Sequence, residues 1–209
     1  MPRRKLKKFA EIKQSTVFMD CVENTEIVDI KQWFGNDNPV VLELGAGYGE
    51  YTIGLAQQNP DTNYIAVDIK SDRLWMGLSW VKEKSLSNVR LLRCNIYLID
   101  EIFSADSIND IWLTFSDPQP HKPRKRLTSL GYFQKYHTIQ KTGAKLHIKT
   151  DSQLVYETAL ESITVGDLYE RVEGEFSCEV DASLQISTRY EDKFRRLGKT
   201  IHYLQATKR

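Results

Sequence analysis

Four polar side chains stand at the ends of short apolar runs, where a folded chain can present them to a ligand. They are Glu43 in VVLEL, Asp68 in YIAVDI, Asn95 after VRLLRC and Asp117 after DIWLTF. Between the first run and EYTIGLAQQN lie Gly45, Gly47 and Gly49, whose backbone amides would open at a helix N-terminus. The spacing is G-x-G-x-G, and Glu50 occupies the position where a dinucleotide fingerprint needs its third glycine. A pyrophosphate would also meet the charges of Glu43 and Glu50. A cationic or hydroxyl-bearing ligand suits the pattern better. Asp68 is placed to accept from ribose hydroxyls, Glu43 to lie beside an ammonium or sulfonium, and Asn95 to accept from an adenine amino group. S-adenosylmethionine carries all of these groups. Glycine turns and strand-end acids also occur without a ligand, and Asn95 equally suits the cap of the helix that follows it.

The stretch FSDPQPHKPRKRL sets Asp117 on a turn stiffened by Pro118 and Pro120, which lack amide donors and restrict the residues before them. Three roles fit such an acid. Against an exocyclic amine it would accept hydrogen bonds and steer the lone pair toward a methyl group. Against a ring nitrogen with a free lone pair, such as guanine N7, it would orient the base and offset developing positive charge. As in any Asp-Pro, it can simply begin a turn.

A sheet is needed to bring these groups to one edge. Strand candidates at 40–44, 64–69, 89–94, 110–115 and 145–150 alternate with EYTIGLAQQN, SDRLWMGLSWVKEKSL, YLIDEIF and SLGYFQKYHTIQ, whose apolar residues recur three and four apart. The alternation predicts an α/β, Rossmann-like fold with a mostly parallel sheet and helices on both faces. A further helix is expected over 152–164. Two strand-like runs, DLYERVEGEFSCEV and TIHYLQATK, extend the sheet to seven strands with an antiparallel edge pair. No repeat or Pro/Gly-rich linker divides the chain, which reads as a single domain over 1–209 with a basic, partly flexible N-terminal arm over 1–20.

With 209 residues, 41% of them hydrophobic, and a net charge of only +1, the chain suits a globular protein with a sizeable core. No window approaches a membrane span, and the basic N-terminus lacks the apolar stretch of a secretion signal, so a cytoplasmic protein without a membrane partner is expected. Cys21, Cys94 and Cys178 lie far apart, which argues against a disulfide framework and a thiolate metal site; no metal is expected. Basic residues cluster at 3–8, 122–126 and 193–199. Runs that meet on one side would bind a polyanion such as nucleic acid, with Lys122, Arg124, Lys125 and Arg126 on phosphates. Tyr48, Tyr190 and Phe194 are the stacking candidates, while Trp75 and Trp80 read as core.

In order, LELGAGYGEYT, FSDPQPHKPRKRL, IKTDSQLVYE and STRYEDKFRRLG resemble the motifs of the bacterial tRNA (guanine-N7)-methyltransferases, which are class I S-adenosylmethionine-dependent enzymes. The likeness runs from about KLKKFAE to the C-terminus. Many methyltransferases share the first motif; the other three, in this order and spacing, are particular to the family. The resemblance implies a class I methyltransferase fold and transfer of a methyl group to N7 of a tRNA guanine, the variable-loop guanine 46, leaving S-adenosylhomocysteine. It implies that Glu43, Gly45, Gly47, Gly49, Asp68 and Asn95 line the cofactor site and that Asp117 both touches the cofactor and is the catalytic acid. Asp151, Thr188, Arg189, Tyr190 and Glu191 would meet the substrate, Glu191 accepting from guanine N1 and N2. Two positions depart from the family pattern. Asn95 stands where an Asp is usual and keeps an acceptor without the charge. The loop after Asp117 is shortened, so a substrate-contacting lysine falls on His121 by count and on Lys122 by chemistry; Lys122 is favoured. The expected partner is tRNA, bound by a monomer or homodimer. A methyltransferase acting on an exocyclic amine of nucleic acid and a non-catalytic RNA-binding relative are the alternatives.

Overall fold

Runs of Val, Ile and Leu become buried parallel strands in the first of the chain's two units, Met1–Ser104. The computed structural model describes residues 2–22, 26–172 and 182–209. The first unit holds β1 (Phe18–Asp20), β2 (Val40–Leu44), β3 (Asn63–Asp68) and β4 (Val89–Arg93), in the order β1-β4-β3-β2 and all parallel. Every residue of β2 and β3 is buried, as in parallel strands covered on both faces. Its helices are α1 (Pro2–Lys13), α2 (Ile30–Phe34), α3 (Glu50–Gln58), α4 (Ser71–Glu83) and α5 (Ile99–Ile102).

The strand β1 is additional to the seven expected. Three residues are too few for a periodicity to show, and pairing with β4, Phe18 opposite Leu91, is what makes them a strand. The basic N-terminal segment forms α1, which rests on α4. Ile12 is fully buried, Trp75 Nε1 donates to Glu11 Oε2 at 3.1 Å, and Lys8 Nζ lies 4.1 Å from the centre of the Trp75 ring. Trp75 and Trp80 are half-buried rather than core, because amphipathic rings here carry a docked helix and a turn.

The second unit, Ala105–Arg209, holds β5 (Ile108–Thr114), β6 (Gln140–Thr150), β7 (Tyr169–Arg171) and β8 (His202–Lys208), in the order β5-β6-β8-β7. β5 and β6 are parallel, whereas β8 runs antiparallel between β6 and β7, giving the expected antiparallel edge. Of the DLYERVEGEFSCEV run, β7 is the described strand; residues 173–181, with Cys178, lie outside the described residues. β6 starts at Gln140, earlier than expected, because a register shift opposite Ile108 and Asp110 interrupts the apolar pattern. The helices α6 (Leu130–Ile139), α7 (Gln153–Gly166) and α8 (Arg189–Arg196) complete this unit, whose core includes Phe133, Tyr136, Ile139, Leu146 and Tyr169. Among the described residues no helix is long and apolar enough to cross a membrane.

Candidate active site

In the first unit, Glu43, the glycine turn, Asp68 and Asn95 gather at the carboxyl ends of β2, β3 and β4. Gly45, Gly47 and Gly49 all have left-handed backbones, with φ of 78°, 60° and 74°. Gly49 is the N-cap of α3, and Gly47 N donates to Asp68 Oδ2 at 2.9 Å. Among the described residues nothing lies within 4 Å of where a Cβ on Gly47 would stand, so the turn faces open space. Asp68 is buried and also accepts from Lys70 N through Oδ1 at 2.8 Å. A carboxylate oxygen that accepts one amide retains further acceptor capacity, which is what ribose hydroxyls require.

Glu43 is buried, and its Oε2 accepts from both N and Oγ1 of Thr52, at 2.9 and 2.5 Å. Thr52 lies in the first turn of α3, so the carboxylate is favoured by the helix dipole as well. Nothing in the spacing of the glycine motif marked Thr52. Asn95 is exposed and caps the short helical turn after β4, accepting from Tyr97 N at 3.1 Å.

Close packing holds the turn from behind. A Cβ added to Gly77 of α4 would stand 2.6 Å from the backbone oxygen of Tyr48, between Gly47 and Gly49. Gly77→Ala is therefore expected to displace the turn and to cost about 1–3 kcal/mol of stability, the range for overpacking. Calorimetric titration with S-adenosylhomocysteine should show weakened binding. Wild-type affinity in the folded variant would mean the turn plays no part in the site.

In the second unit, Asp117 is exposed just past β5, and its Oδ1 accepts from Gln119 N at 3.0 Å, an Asx turn. Phe115 and Gln119 flank it with φ of 48° and 43°. Side chains rarely adopt that backbone, and it persists where the surroundings over-determine it. Phe115 N donates to Lys149 O at 2.8 Å, which fixes the start of the loop on β6. His121, Lys122, Arg124 and Lys125 are exposed along it. Arg126 differs from its neighbours. It is 9% exposed, and its guanidinium donates to Pro118 O (2.8 Å), Pro120 O (3.4 Å) and Thr158 Oγ1 (3.1 Å). It is spent inside the protein, which corrects its assignment to phosphate.

The acids expected at the substrate are engaged by lysine and arginine. Asp151 Oδ2 lies 2.5 Å from Lys199 Nζ. Glu191 is 2% exposed; its Oε2 is 2.7 Å from Lys149 Nζ, and its Oε1 accepts from Arg195 Nε and Nη2 at 2.9 and 2.7 Å. Lys149 is itself buried on β6 and also donates to the carbonyls of Leu184 and Ile186. Thr188 caps α8, accepting from Glu191 N at 3.2 Å, so the T-x-x-E spacing serves first as a helix start. Arg189 and Tyr190 are exposed, and the Tyr190 ring stacks on Phe194. Two of the cations in the 193–199 run, Arg195 and Lys199, thus neutralise acids of this unit.

Cys21 and Cys94 are free thiols whose burial pushes their pKa values up, so neither is poised as a nucleophile. Among the described residues no group of three His, Cys, Asp or Glu side chains is placed to hold a metal.

Residues 37–204 match a family described as putative methyltransferase. The chain is 39% identical over 224 residues to a tRNA (guanine-N(7)-)-methyltransferase of Bacteroides thetaiotaomicron, covering 98% of this chain and 86% of the relative. It is 34% identical over 174 residues to the enzyme of that name from Bacillus subtilis, covering 81% and 80%. Among solved structures, the 16S rRNA methyltransferase KamB superposes with a TM-score of 0.65 over 88% of this chain and 95% of that one, at 16% identity, a likeness of fold. The family match and the relatives' coverage join the motifs that first pointed there, and the chain belongs to the tRNA (guanine-N7)-methyltransferase family, whose members use S-adenosylmethionine.

Proposed function

We propose that this enzyme methylates N7 of guanine 46 in the variable loop of tRNA, in the cytoplasm. The observation that carries the reading is Asp117: an exposed carboxylate, one oxygen fixed by Gln119 N, on a loop with strained backbone at both flanks. S-adenosylmethionine supplies an electrophilic methyl carbon when bound. Gly45, Gly47 and Gly49 would pass its backbone closely, Asp68 would accept from its ribose, Glu43 would lie by its cationic end and Asn95 by its adenine. Guanine N7 has a free lone pair, so no proton has to leave before attack. Asp117 orients the base and offsets the positive charge that develops on its ring.

Base selection falls to Asp151 and Glu191, with Thr188, Arg189, Tyr190 and Lys122 around them. Glu191 becomes available by exchange of one partner. The Arg195 side chain is 55% exposed and can leave Oε1 to the guanine N1–H and N2–H donors, whereas Lys149, at 3%, stays in place. Incubating unmodified tRNA with labelled S-adenosylmethionine should yield 7-methylguanosine on nucleoside analysis. Label in an exocyclic N-methyl nucleoside, or none, would overturn the reading.

The exposed cations Lys122, Arg124 and Lys125 remain for phosphates. Changing all three to Glu is expected to raise KM for tRNA and to flatten the salt dependence of binding by about two in log–log slope, while cofactor affinity stays near wild type. Filter binding across a salt series measures it; an unchanged slope would remove these residues from the RNA surface.

A further inference from the structure

We propose that Arg126 is a positioning residue for Asp117, clamping the loop that carries the catalytic acid rather than binding RNA; this rests on the reading of Asp117 as that acid. The loop makes bonds of its own, Gln119 N to Asp117 Oδ1 and Lys122 N to Gln119 O, but the two prolines beside Asp117 add no donor to them. Pro118 and Pro120 have no N–H to donate, and Phe115 and Gln119 sit at unfavourable positive φ. The carbonyls of these two prolines point instead to one guanidinium, through Nε at 2.8 Å and Nη2 at 3.4 Å. Its remaining nitrogen, Nη1, is fixed by Thr158 Oγ1 at 3.1 Å. Thr158 lies on α7, where its hydroxyl donates to Leu154 O at 2.7 Å, so the clamp is anchored to a helix. The chain thus closes a ring: Asp117 leads into the prolines, the prolines accept from Arg126, and Arg126 is tied to α7. A flat fork with several donors can span two carbonyls and a hydroxyl, whereas a lysine ammonium at the end of a flexible stem cannot reproduce that geometry.

Arg126→Lys separates the possible roles, because it keeps the charge and loses the fork. The expected result is a kcat lower by roughly 10- to 100-fold per folded molecule, as for a displaced catalytic group, with KM for tRNA and cofactor affinity within about 2-fold of wild type. Thr158→Val, which removes only the anchor, should lower kcat in the same sense by less. A raised KM with kcat retained would make Arg126 a phosphate contact and overturn the proposal, and so would unchanged kinetics. If Arg126→Lys does not fold, Thr158→Val decides, and wild-type kcat in that variant counts against the clamp. A double variant with Asp117→Asn distinguishes this inference from the reading beneath it. Should Asp117→Asn alone keep wild-type kcat, the Asp117 reading fails. Should it lose activity while Arg126→Lys multiplies that loss independently, the positioning role fails. The expected double variant is no slower than Asp117→Asn, because a clamp has nothing to position once the carboxylate is gone.

Discussion

Asp117→Ala is expected to lower kcat by about 100- to 1000-fold, the usual cost of losing a preorganised group that meets developing charge, with the protein still folded. Stability should change little, since the side chain is exposed and the hydrogen bond it accepts from Gln119 N is worth about 0.5–1.5 kcal/mol. Asp117→Asn sharpens the test. The amide keeps an oxygen for Gln119 N and therefore the Asx turn, so whatever kcat it loses reports the missing charge and not a moved loop. If positive charge on the guanine ring is what Asp117 offsets, Asn should approach Ala in kcat. If Asp117 only shapes the turn, Asn should approach wild type. Single-turnover methylation of tRNA with both variants, alongside calorimetric titration of the cofactor, separates loss of chemistry from loss of methyl-donor binding.

Much of the scaffold could be read from the chain because β2, β3, β4 and β5 are short apolar runs with a polar residue at or just beside the carboxyl end. Such runs announce both the strand and the end at which its polar residue emerges, Glu43, Asp68 and Asn95 in the first unit and Asp117 in the second. The residues that hold those groups were not readable in the same way. Thr52 meets Glu43 only after a strand and a glycine turn have folded, and Arg126 meets Thr158 across 32 positions. Arg126 was hidden by its company, since one buried cation in an exposed basic run carries no local mark. Two signals were available. Thr188-x-x-Glu191 has capping-box spacing ahead of a helix, and Lys149 interrupts an apolar strand, the pattern of a buried charge with a partner elsewhere. The short β1 could not have been read, because its pairing with β4 rather than its own three residues makes it a strand.

Lys149→Met is expected to destabilise the protein by about 3–5 kcal/mol, the cost of removing one partner from a buried ion pair. Glu191 would then keep Arg195 on Oε1 and lose the ammonium 2.7 Å from Oε2, an oxygen with no directed hydrogen bond among the described residues to compensate. The segment before α8 would loosen as well, because Lys149 also holds the carbonyls of Leu184 and Ile186. Combining Lys149→Met with Glu191→Leu should restore much of that stability, since a buried pair replaced by apolar groups of similar size is often close to neutral. Activity should not return with it. Reading a guanine edge through two hydrogen bonds is worth about 1–3 kcal/mol, so a double variant as stable as wild type should still methylate tRNA roughly 10- to 100-fold less efficiently in kcat/KM. Thermal unfolding and steady-state methylation on the same preparations give both quantities. Recovery of stability and activity together would reduce Glu191 to a structural counter-ion of Lys149. Recovery of stability alone is what a carboxylate shared between the fold and the substrate requires.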